Sequence, residues 1–270
     1  PFQESDSCNP GFRQVGHRIF LVADHQDPDC LSDAGREKYC LSDDFAKKIK
    51  VIYHEEFIPQ KYLPTFNSHT IELNLHRIPG LSEQFVYFND DMFLNKKVFP
   101  EQFFRNGLPC DIMGLDCVAF GKNSAGNFHA NDIGLINDHF DVRQCFRRHM
   151  GRWLNISYGM KVSVRTLFLL HKGYFTGFYN QHITSSFLKQ TFEEVWEKER
   201  EVLDDTCSCR FRNQTNVNQW LMKYWQLAKG NFCPRKKKFG MYFQIKDDTS
   251  EITEAIKTEK YCCFKRRVFP

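Results

Sequence analysis

Residues 85–91, Phe-Val-Tyr-Phe-Asn-Asp-Asp, constrain this chain most: a run of strand formers that stops on one amide and two adjacent carboxylates. Paired carboxylates at the end of a buried strand are unfavourable unless something cationic meets them there. A hard divalent metal carrying a phosphorylated substrate satisfies that requirement. A plain turn of the kind Asn and Asp favour is the alternative, and the pattern leaves both open.

Around this run the first half alternates strand-like and helix-like segments. Residues 18–24 read as a buried strand ending in Asp24, 49–54 as a second and 84–89 as a third. Between the last two, Asn67-Ser68 offers a helix cap, Ile71, Leu75 and Ile78 share one face, and Gly80 is the stop. Strand, helix, strand predicts a βαβ unit and hence an α/β fold with a Rossmann-like, mainly parallel sheet and flanking helices. Ligands of such sheets bind at the carboxyl ends of the strands, where Asp24 and Asn89-Asp90-Asp91 would both lie.

The second half reads as mainly helical. Helices are expected from Asn131 or Asp132 to about His149, over 162–171, over 184–203 and over 216–229 with Gly230 as a stop. Residues 241–245 read as a strand, followed by Asp247-Asp248 and a short helix from about Ser250. No linker is evident. The expected organisation is one catalytic domain over 1–270, with an α/β core at about 17–120 and 240–265 and a helical portion at about 130–232.

Composition bounds the function. With 41% hydrophobic residues and 27 Phe, 270 residues suffice for a large core. The formal charge of +4 is spread along the chain, which favours anionic small ligands over nucleic acid. Eleven cysteines, an odd number scattered through a long chain, read as reduced residues of a cytoplasmic protein. Cys207-Ser-Cys209 and Cys262-Cys263 do not form a zinc framework and read as packing residues. No apolar run of roughly 18–20 residues and no signal peptide are visible. The chain begins at Pro1, so an N-terminal portion is expected to be missing.

Several polar residues admit two readings. Asp90 and Asp91 suit magnesium or manganese, with Asn89 orienting a phosphate or hydroxyl. Asp247-Asp248 is either a second acidic site or a helix-capping turn. His182, ahead of the 184–203 helix, is a packing residue unless it faces the acidic pair, where it would serve as a general base. Arg212 is a surface cation or a planar partner for a phosphoryl group. The run 235–238, Arg-Lys-Lys-Lys, is a solvated loop or a basic patch for a membrane surface.

One stretch carries more than spacing. Leu63-Pro-Thr-Phe-Asn-Ser-His69, Ile71-Glu72, Leu75-His-Arg-Ile-Pro-Gly-Leu81 and Phe85 through Leu94 closely resemble the second signature block of the Stealth family. Those proteins are sugar-1-phosphate transferases of bacterial capsule synthesis, related to the animal N-acetylglucosamine-1-phosphotransferase. Gln181-His182, Arg210-Phe-Arg212 and Val217-Asn218 resemble the third block, and residues 242–248 the fourth, with Lys246 where the family more often has Asn. The first block is not found and would precede residue 1.

The resemblance implies a transferase that takes a sugar 1-phosphate from a nucleotide-sugar donor to a glycan acceptor and releases nucleoside monophosphate. Asp90, Asp91, His182 and Arg212 would be catalytic, with Asp90 and Asp91 holding the divalent metal. Asn67, Glu72, Arg77, Asn89 and Asp247 would bind substrate, although Glu72 and Arg77 could equally form a structural ion pair. The expected location is the cytoplasm, at the inner face of a bacterial membrane. A metal-dependent glycosyltransferase releasing nucleoside diphosphate is the principal rival, and a non-catalytic carbohydrate-binding protein the third reading.

Overall fold

The structure, a computed structural model, describes residues 18–24, 28–38, 42–122, 124–244, 250–258 and 263–267. In chain order the strands are β1 (Ile19–Ala23), β2 (Ile49–Tyr53), β3 (Gln84–Tyr87), β4 (Met92–Leu94), β5 (Phe104–Arg105), β6 (Leu108–Asp111), β7 (Ser185–Leu188), β8 (Cys233–Pro234), β9 (Gly240–Gln244) and β10 (Cys263–Arg267). The first helices are α1 (Asp33–Lys38), α2 (Asp43–Ala46), α3 (Ser68–Asn74), α4 (Gly126–His139) and α5 (Val142–Trp153). They are followed by α6 (Met160–Leu170), α7 (Lys189–Lys198), α8 (Arg200–Ser208), α9 (Gln219–Lys229) and α10 (Ser250–Lys257).

The fold is mixed α/β, but the expected mainly parallel sheet is not what the described residues form. They make four small sheets: β1–β2, β3–β7, β4–β10–β9 and β5–β6–β8. The β1–β2, β9–β10 and β6–β8 pairs are parallel, whereas β3–β7, β4–β10 and β5–β6 are antiparallel. A βαβ unit does exist, one step earlier than expected: α1 and α2 form the crossover a parallel pair needs, between β1 and β2. β3 does not continue that sheet. It pairs with β7, about a hundred residues onward, and its residues from Phe85 to Tyr87 are half-buried, as suits an antiparallel strand covered on one face.

Local chemistry sets the helix ends. α3 starts as predicted, with Asn67 Oδ1 accepting from the His69 N–H at 3.1 Å, then tightens into a 3-10 turn at Leu75–Arg77. The long helix expected near 131–149 is two. Asp141 breaks it, because its carboxylate accepts from the Gln144 N–H at 2.6 Å and caps α5. The helix expected over 184–203 begins as β7, since residues 185–188 are claimed by the ladder to β3, and it divides again at Glu199. α6 and α9 match their expected spans closely. α9 is capped by Asn218, whose side chain accepts from the Trp220 N–H, and stopped by Gly230 in the left-handed conformation (φ +81°).

α9 is the centre of the core. Every residue from Gln219 to Ala228 is buried, against α3, α4, α5, α7 and β7. Around it the main apolar cluster extends from Ile52 and Leu73 through Trp153, Phe187 and Phe192 to Trp225. A smaller cluster of Val98, Phe103, Ile183 and Phe239 lies under the chain segment that carries His182.

Candidate active site

Two sheets bring the Asn-Asp-Asp run and His182 to one place. In the antiparallel β3–β7 pair Tyr87 lies opposite Ser185, so Asn89 leaves and His182 arrives at the same end of the ladder. In the other sheet Met92 at the start of β4 and Tyr242 on β9 both pair with Lys265. The turn therefore also sits at the edge toward which β9 ends. It is closed by the Met92 N–H donating to Asn89 O at 3.1 Å, with Asp90 exposed and Asp91 half-buried. Asp247 and Asp248, which follow β9, lie outside the described residues.

Tyr87 ties the turn to α3. Its hydroxyl is 3.1 Å from Glu72 Oε1 and 3.3 Å from Asn89 Oδ1. Burial, and then the carboxylates of Glu72, Asp90 and Asp91, raise its pKa well above the usual phenol value. Three acidic groups thus share one field around a neutral phenol. One helical turn before Glu72, about 6 Å along the axis, Ser68 Oγ accepts from Arg212 Nε at 3.1 Å and Nη2 at 2.6 Å. Arg212 is exposed. A single face of α3 therefore links the guanidinium to the acidic turn.

The loop bearing Arg212 is held by amides. Asn67, fully buried, has its Nδ2 within 3.3 Å of Thr206 O, Cys209 O and Asn216 Oδ1. Asn131 Nδ2 donates to Gln214 O and Asn216 O at 2.8 and 3.0 Å. Asn67 thus ties α3 to the loop that carries Arg212. Arg77 lies at the far end of α3, its guanidinium 5.0 Å from the Trp196 ring centre and its Nε donating to Asn74 Oδ1. It forms no ion pair with Glu72. Asp24 follows β1, its carboxylate 3.7 Å from His54 Nδ1, and among the described residues the β1–β2 sheet has no ladder to β3.

His182 has a left-handed backbone (φ +54°), which His tolerates better than most residues but which needs support. Its N–H donates to Asn180 Oδ1 at 2.9 Å. Its ring meets Trp220 edge-on at 4.7 Å and lies parallel to Tyr242 at 5.8 Å, while His129 stacks on Trp220 at 3.9 Å. His182, Tyr179, Gln181, Met241 and Tyr242 line an open cleft of about 350 Å³.

Behind it lies a buried ion cluster. Lys223 Nζ is 3.4 Å from Asp111 Oδ2 and from Asn180 Oδ1, and Arg235 Nη2 is 3.5 Å from Asp111 Oδ1. The sequence reading missed Asp111, Asn180, Lys223 and Tyr87. Lys223 had a signal, a lone cation inside Trp220-Leu-Met-Lys-Tyr-Trp225. Asp111→Ala leaves two cations buried without their carboxylate and is expected to destabilise the fold by about 3–5 kcal/mol. Denaturant unfolding measures this, and a loss under about 1 kcal/mol would contradict the assigned role.

Among the described residues no three His, Cys, Asp or Glu side chains converge as ready-made metal ligands. Asp90, Asp91 and Asn89 offer only hard oxygen donors, which fits magnesium or manganese with water and substrate phosphate supplying the remaining ligands.

The family model for Stealth protein conserved region 2 matches residues 12–110, which hold Asn67, Glu72, Arg77 and the Asn-Asp-Asp turn. The receptor polysaccharide phosphotransferase WefC of Streptococcus gordonii is 37% identical over 246 residues, covering 91% of this chain and 70% of that protein. The exopolysaccharide phosphotransferase cps2G of Lactiplantibacillus plantarum is 39% identical over 246 residues, with coverage of 91% and 69%. The capsular polysaccharide phosphotransferase WcwK of Streptococcus pneumoniae is 39% identical over 214 residues, with coverage of 79% and 64%. These similarities run well past residue 110 into the segments carrying His182 and Arg212, and the chain belongs to the Stealth family, a family of polysaccharide phosphotransferases.

Proposed function

We propose that the chain moves a sugar 1-phosphate from a nucleotide sugar to a glycan hydroxyl in capsular or exopolysaccharide synthesis. The observation that carries this reading is the meeting of the acidic turn and His182 at one end of the β3–β7 ladder, in a chain whose relatives are polysaccharide phosphotransferases.

The acceptor oxygen attacks the sugar-bearing β-phosphorus and gives its proton to the His182 ring. The bond from that phosphorus to the bridging oxygen breaks, nucleoside monophosphate leaves with the electron pair, and a phosphodiester remains. Arg212 pairs its guanidinium with phosphoryl oxygens as charge spreads over them. Asp90 and Asp91 would hold a divalent metal, which when bound would neutralise diphosphate charge. Glu72 and Tyr87 fix the turn, and Asn67 fixes the Arg212 loop.

Incubating the protein with nucleotide sugars, magnesium or manganese and glycan acceptors, then separating the released nucleotides, tests the reading. Acceptor-dependent nucleoside monophosphate is the expected product. Nucleoside diphosphate would overturn the proposal in favour of a glycosyltransferase.

A further inference from the structure

The run 235–238, read as a solvated loop or a basic patch, does not act as a unit. Arg235 is buried, paired with Asp111 and stacked on Phe239 at 4.5 Å, so only Lys236, Lys237 and Lys238 remain exposed. Charge is segregated elsewhere. No Asp or Glu occurs from residue 142 to residue 192, while 142–174 contains seven Lys and Arg. That segment is α5, the turn after it, and α6.

α6 is apolar on both sides. Val162, Thr166 and Leu169 face the core, and Met160, Val164, Leu167 and Phe168, at i, i+4, i+7 and i+8, share the outward face. Met160 is 83% exposed and Phe168 69%, and Ile156, in the turn leading to α6, is 97% exposed. Met160, Val164 and Phe168 line a shallow groove of about 480 Å³ together with Lys161 and with Arg165, whose Nη1 pairs with Asp116 Oδ2 at 2.8 Å. α5 borders this face, because Arg143 Nη2 donates to His171 O at 2.9 Å. Arg143, Arg147 and Met150 lie on one side of α5 at i, i+4 and i+7, all exposed. The surface is an apolar ridge rimmed by Arg143, Arg147 and Lys161, without an acid on either helix.

We infer that the α5–α6 face docks on an anionic lipid bilayer, apolar side chains entering the headgroup boundary and the basic rim meeting lipid phosphates. This is the pattern of an interfacial helix, whose binding combines apolar burial with attraction to anionic lipid. A second copy of the chain is a poor occupant, because two-fold pairing would set Arg143, Arg147 and Lys161 against the same cations of the other copy, while Asp116 is already paired with Arg165. The inference is independent of the catalytic roles, since its test requires no turnover.

The experiment is co-sedimentation of the whole chain with vesicles of phosphatidylcholine alone or with one third phosphatidylglycerol. Binding is expected to the anionic vesicles and to weaken in high salt. Met160→Ser with Phe168→Ser, and separately Arg147→Glu with Lys161→Glu, each reduce it about tenfold or more. These positions are exposed, and circular dichroism verifies that both variants fold. The inference is overturned if the parent binds neither vesicle, if it binds both equally, or if folded variants bind like the parent. It is also overturned if the parent is a dimer that Met160→Ser with Phe168→Ser dissociates, or if binding is lost only on substituting Lys236, Lys237 and Lys238.

Discussion

Asp91→Asn is expected to leave the chain folded and to lower turnover about a thousandfold or more. The turn that carries Asp91 is closed by backbone, through the Met92 N–H and Asn89 O, and Asn is nearly isosteric with Asp, so the local shape persists. What changes is charge. Glu72, Asp90 and Asp91 act together on the Tyr87 hydroxyl, and removing one carboxylate weakens the field that would hold a divalent cation against a diphosphate. Metal neutralisation of a transferring phosphoryl group is worth several kcal/mol, and each 1.4 kcal/mol is a factor of about ten. Steady-state rates measure the loss, and titration of manganese in the presence of donor measures the cation separately. Near-normal turnover with unchanged manganese binding would remove Asp91 from the site.

The second large effect is at His182. Loss of a general base costs about 100- to 10,000-fold in kcat, and donor affinity should be largely retained because the proton comes from the acceptor. His182 has a left-handed backbone, so Ala there introduces strain as well as removing the ring. Asn tolerates that conformation. His182→Ala and His182→Asn should therefore both lose turnover if the ring takes the proton. Recovery of the parental rate in His182→Asn would make the residue a backbone device, holding the Asn180 contact and the edge of the cleft.

Much of the local structure was legible because it rests on local chemistry. The β-branched runs of β1 and β2, the Asn67 cap of α3, the apolar face of α6 and the Gly230 stop of α9 are each decided within a few residues. The errors share one cause. Residues 184–188 have helical spacing but become a strand because β3 offers them a ladder, and β3 misled the sheet assignment because its partner lies about a hundred residues away. Non-local pairing leaves little trace in a short window. The same holds at the site. Asp90 and Asp91 announced themselves as adjacent acids ending a strand, while nothing in spacing joined them to His182 or Arg212, which the residues left between two readings and the family resemblance put forward. Asp111 and Lys223, more than a hundred residues apart, meet only in the folded core.

The envelopment of α9 has a consequence for assembly. A helix covered on every side cannot retain its place while any of its neighbours is absent, and those neighbours come from α3 near residue 70 to α7 near residue 190. Everything from residue 68 to residue 229 must therefore be synthesised before the interior closes. Folding is expected to wait for the arrival of residues 219–229, a late and single commitment that leaves truncated chains ending before them with an open, adhesive hollow.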